Sequence, residues 1–172
     1  MEKPSVLYHG SSNKEIERVE PSAKKVRDGA EGPKIFATPD KRMASVFIVG
    51  VDDSWENSGQ HNGVPYMVIS DRERFSALDH GGTIYHLPSD SFTSDSEKGL
   101  GELEWASNEP VQPTHKEEHE LALEAMLNHG VQVYFVDKAT YDAFRSAPDH
   151  GLSILRTTTS ENQRQNINPV EF

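Results

Sequence analysis

Up to about residue 110, short runs of β-branched and aromatic residues follow one another through polar, Gly- and Pro-rich loops, and only one amphipathic helix interrupts them. Val6-Leu7-Tyr8, Ile35-Phe36-Ala37, Tyr66-Met67-Val68-Ile69 and Thr83-Ile84-Tyr85-His86-Leu87 each have the composition of a short strand. A parallel, doubly wound sheet needs a crossover helix between successive strands, and this pattern does not supply one. The chain is therefore expected to fold as an α+β domain.

The single early helix is expected to start at Thr38-Pro39-Asp40, with Thr38 as N-cap and Met43, Ala44, Val46 and Phe47 as its apolar face. Residues 20–33, 52–63 and 88–99 are polar and turn-rich and read as surface loops, with Asp79-His80-Gly81-Gly82 a turn. Glu102 to Ala106 reads as a late strand with Leu103 and Trp105 on one face and Glu104 on the other. Thr114-His115-Lys116-Glu117 has the form of a capping box before a helix carrying Leu121, Leu123, Ala125, Met126 and Leu127, ended by Gly130. Val131 to Val136 follows as a buried strand, and Asp137 caps a last amphipathic helix with Tyr141 and Phe144. Residues 157–172 are polar and aperiodic, so the expected organisation is one domain over 1–156 and a disordered tail.

Composition narrows the function classes. The 172 residues carry a formal net charge of −11, which repels phosphate backbones, so nucleic acid is not an expected partner. The cluster Lys24, Lys25 and Arg27 reads as part of a solvated loop. No apolar run reaches the roughly 18–20 residues of a membrane span, and no signal-peptide core is visible. There is no cysteine, which removes disulfides and thiolate zinc sites and suits a reducing compartment. Together these give a cytoplasmic expectation, with no membrane partner.

Three segments carry the chemistry when read together: Leu7-Tyr8-His9-Gly10-Ser11, then Ile35-Phe36-Ala37-Thr38 leading to Ala44, then Glu104-Trp105. In order and spacing, over roughly residues 5–110, they resemble the ADP-ribosyltransferase superfamily, particularly its diphtheria-toxin and poly(ADP-ribose) polymerase branch. The resemblance implies split antiparallel sheets with flanking helices, and NAD bound as substrate with no metal. It further implies transfer of ADP-ribose to an acceptor, a protein by expectation. His9 would hydrogen-bond a ribose hydroxyl of NAD, Gly10 would let the backbone grip the carboxamide, and Ser11, Phe36, Ala37 and Phe47 would complete the binding wall. Glu104 would stabilise the oxocarbenium-like sugar as nicotinamide leaves, which is what a preorganised carboxylate in a dry cleft does well.

The chain departs from that branch at three positions. Ile35 stands where a stacking Tyr is found, Met43 where a Ser bonds the carboxamide, and Val46 where a second Tyr stacks. These departures define the alternative, a catalytically inactive fold of the same kind acting as a binding module. A third reading comes from His115-Lys116-Glu117-Glu118-His119, which matches the H-x-x-E-H pattern of a zinc metallopeptidase if the two histidines share a helix face. The polar setting and the adjacent capping box favour a solvated helix start without metal.

Overall fold

In the computed structural model, which describes residues 2–23, 32–50, 52–94, 101–157, 166, 167, 169, 170 and 172, the chain is α+β with three small sheets. The first sheet has β5 (Gly82–Pro88) at its centre, with β1 (Val6–Ser11) and β8 (His115–His119) antiparallel on either side. Alternation along β5 decides what each face meets. Tyr85 and Leu87 enter an apolar cluster with Leu7, Trp105 and Ile35, the last from β2 (Ile35–Ala37). Ile84 points the other way, into a larger cluster with Met43 and Ala44 of α1 (Lys41–Val46) and with Ala125 and Met126 of α3 (Ala122–His129).

The second sheet runs β2, β7 (Trp105–Ser107) and β6 (Thr93–Ser94), all antiparallel. It is tied to the first by a bridge in which the Tyr8 and Thr38 backbones exchange hydrogen bonds at 2.7 and 3.0 Å. The third sheet runs β3 (Glu56–His61), β4 (Val64–Ile69) and β9 (Gln132–Phe135), with β4 and β9 parallel. Both faces of β4 are covered, which explains its unbroken apolar run. Met67 and Ile69 join the central cluster. Tyr66 and Val68 pack with Tyr134 against α4 (Lys138–Ser146) and α5 (Leu152–Thr157). Asp137 caps α4 through Thr140 N–H at 2.7 Å, and Gly130 ends α3 in the left-handed region at φ 85°, both as the sequence implies.

Several local expectations are overturned. Residues 56–61 are not loop but strand β3, closed onto β4 by Asn62-Gly63 with φ of 49° and 73°. Two consecutive left-handed residues make the tight hairpin turn that matches strand twist, and Asn-Gly is its sequence signal. The cap of α1 is Asp40, whose carboxylate accepts from Arg42 N–H at 2.9 Å, while Thr38 is taken up by the bridge to β1. Residues 72–78 form a helix, α2 (Arg72–Leu78), that the strand-dominated reading omits. Glu102 and Leu103 lie in a 3-10 turn (Gly101–Leu103), and the strand begins only at Trp105. Most consequentially, the expected helix start at Thr114–Glu117 is strand β8.

The helix after β8 begins instead at Ala122, capped from far away. Leu121, its N-cap residue, makes no side-chain cap. Asp79, at the end of α2, accepts Ala122 N–H at 2.6 Å and Leu123 N–H at 3.0 Å, and also Gly81 N–H at 3.1 Å. A carboxylate at the positive end of a helix is favourable, and here it also fastens α2 and the turn before β5 to α3.

Residues 24–31 and 95–100, within the expected loops, and most of the expected tail lie outside the described residues. Two residues of that tail are held against the core. Asn166 is buried and bonds both backbone groups of Val133, accepting its N–H at 2.9 Å and donating to its carbonyl at 3.2 Å. Phe172 packs edge-on against Tyr66.

Gly10 shows how closely α1 sits on the first sheet. A Cβ built there would lie 2.0 Å from Ala44 O and 3.3 Å from Ile48 N, both backbone atoms that cannot swing aside. Gly10→Ala is therefore expected to destabilise the domain by about 2 kcal/mol through overpacking. That corresponds to a fall of roughly 4–8 °C in the thermal midpoint, measured by calorimetry.

Candidate functional site

A cleft of about 790 Å³ opens where the first and second sheets meet. Its volume is within the roughly 300–1,000 Å³ usual for small-molecule sites. His9 and Gly10 of β1, Phe36 and Ala37 of β2, Phe47 beyond α1 and Glu104 before β7 all line it. The antiparallel pairing of β2 with β7 is what brings the last of these to the others. Ala37 faces Trp105 in the register, so Glu104 arrives at the open end of β2. Trp105 is buried in the second cluster, and Glu104, one residue earlier, falls on the cleft side.

His9 is oriented by the neighbouring sheet. Its Nδ1 lies 2.7 Å from the Phe36 carbonyl, which can only accept, so Nδ1 carries the proton in this bond. Phe36 alternates with the buried Ile35 and Ala37 and turns its ring to the cleft. Phe47 is 41 % exposed and adds a second apolar ring.

Other expected site residues are placed differently. Ser11 is not part of the cleft wall; its Oγ accepts the Asn13 N–H at 3.2 Å, shaping the turn after β1. Gly10 borders the cleft, but the close approach that requires a glycine there is that of α1. Met43 and Val46 are buried in the central cluster and do not line the cleft, and Ile35 is 1 % exposed. Leu103, expected on the face of Trp105, joins Glu104 on the cleft wall.

The sequence reading missed a further set of lining residues: Asn13, Arg18, Lys34, Asp53 and Ser58. Arg18 is ion-paired with Glu20 at 2.7 Å, near the rim. Asp53 and Ser58 come from the segment read as loop, and the Asn-Gly turn that defines β3 was the signal that would have found them. Behind them Glu56 is buried, and its carboxyl is pushed up to about 7, first by burial and then by the charge of Asp53.

His115 and His119 do not form the peptidase pair. On a helix, residues four apart lie one turn above each other, but on a strand they are separated by roughly 13 Å, too far to share one ion. Both are in β8.

Comparison with family profiles, with curated proteins and with solved structures finds no match to this chain. Among the described residues no helix is long and apolar enough to cross a membrane.

Proposed function

We propose that the cleft binds NAD and that the chain transfers its ADP-ribose to an acceptor, with a protein as the expected class. The observation that carries this reading is the convergence of His9, Phe36 and Glu104, from three separated segments, on one cleft of suitable volume. In the proposed reaction the bond between the nicotinamide nitrogen and ribose C1′ breaks, and nicotinamide leaves with the electron pair. A nucleophile on the acceptor then bonds to C1′ and releases its proton. The Glu104 carboxylate stabilises the positive charge that builds on the sugar between those events. His9 hydrogen-bonds a ribose hydroxyl and fixes the donor's position. Phe36 and Phe47 supply apolar surface for the nicotinamide.

A second reading, the same fold as a binding module without turnover, is favoured by one specific observation. Met43 and Val46 are buried in the core away from the cleft, and Ile35 on the cleft wall is aliphatic, so none offers a stacking ring or a hydroxyl to the carboxamide. Incubating the purified protein with NAD labelled in the adenylate part, alone and with a cell lysate, separates the two. Transfer predicts label on protein together with released nicotinamide. NAD binding seen by calorimetry with neither product leaves the binding module, and no NAD binding removes both.

A further inference from the structure

The strand β8 that dissolves the peptidase pattern creates a different grouping. With period-two alternation, His115, Glu117 and His119 share one face, the face of Ile84 and His86, to which they are paired in register. That face looks toward α1 and α3, and α3 ends in His129. The rings of His119 and His129 meet edge to face with centroids 5.7 Å apart. Their two Nε2 atoms are both shielded from solvent, and neither has a hydrogen-bond partner. Buried polar atoms are nearly always satisfied, so two adjacent unsatisfied imidazole nitrogens call for an explanation. One ligand atom from each of Glu117, His119 and His129 can be chosen so that all three lie within 4.8 Å of one another.

From this geometry we infer that Glu117, His119 and His129 form a binding site for a divalent transition-metal ion of the zinc class, pinning the end of α3 to β8. Two imidazoles and a carboxylate are a donor set that zinc accepts, with a water completing four-coordination. Tetrahedral ligands at about 2.0–2.1 Å from the metal stand roughly 3.4 Å from each other, so at most about 1.5 Å of side-chain rotation closes the site.

Glu117 is already oriented. Its Oε1 accepts from Lys41 Nζ at 2.6 Å and lies 3.1 Å from His86 Nε2. Lys41 occupies that oxygen and competes with the ion for it. The adjoining grouping of His86 and His115 with Glu117 is the weaker candidate, because His115 is exposed.

The test uses the full-length, tag-free protein after chelator treatment, titrated with zinc and, separately, with cobalt(II). One zinc per chain is expected, binding in the micromolar range or tighter. Zinc should shift the ring resonances of His119 and His129 together in nitrogen-detected spectra of the wild-type protein, a readout that needs no variant. His129→Asn and His119→Asn should each weaken binding about a hundredfold or more and abolish the cobalt spectrum, whereas His150→Asn should change neither. Lys41→Met should tighten binding about tenfold by removing the competing cation. No binding below 100 µM, zinc shifts confined to other histidines, or affinity unchanged in His129→Asn or in Lys41→Met would each overturn the site.

Discussion

Replacing Glu104 with Gln is expected to lower ADP-ribosyl transfer or NAD hydrolysis about a hundredfold, roughly 3 kcal/mol in the barrier, while NAD affinity changes little. The amide keeps the shape of the side chain and can still accept a hydrogen bond from a ribose hydroxyl, so the ground-state complex survives. It lacks the charge that meets the developing cation, so only the transition state suffers. Single-turnover assays with labelled NAD, beside calorimetric titration of the same variant, separate these two effects. His9→Ala should behave differently. It removes a ribose hydrogen-bond partner proposed for both states and should weaken NAD binding as well as slow transfer. Turnover undiminished in Glu104→Gln would mean that another group stabilises the sugar.

Asp79→Ala is expected to damage the fold strongly, at about 3 kcal/mol and a fall of roughly 6–12 °C in the thermal midpoint. Its carboxylate satisfies backbone N–H groups of Gly81, Ala122 and Leu123, and the site is 6 % exposed, so water cannot readily replace it. The loss also unfastens α3, whose residues Ala125 and Met126 fill the central cluster behind the first sheet. Asp79→Asn should fall between wild type and Ala. One side-chain oxygen can still serve two donors, but its amide group faces the third N–H. Thermal unfolding of the three proteins by circular dichroism, at matched concentration, gives the ranking. A midpoint for Asp79→Ala within 2 °C of wild type would show that α3 does not depend on this cap.

The local signals with a mechanism in a few consecutive residues were legible. Asp137 before a helical period, Gly130 after one, and β-branched runs bounded by turns each found their element, because caps, left-handed glycines and alternation act over a handful of bonds. The failures share a physical cause. His115-Lys116-Glu117-Glu118-His119 has no apolar residue, so its own sequence gives no period to read, and it becomes a strand only because β5 offers it an edge. The capping box at Thr114 lost to that pairing, and the cap that α3 uses stands on another helix. Asn62-Gly63 was a legible hairpin signal that the polar composition around it concealed.

What the sequence determined by itself is the α+β class, the buried strands and the residues with chemical capacity: His9, Phe36, Glu104 and the histidine-rich segment. Tertiary structure decided which of these meet. Register between β2 and β7 carries Glu104 to the cleft with His9. Register between β5 and β8 keeps His119 roughly 13 Å along the strand from His115 and sets it against His129. A side chain's type is a local property, but its neighbours are set by hydrogen-bonded pairings between segments tens of residues apart, and no short stretch of sequence encodes those.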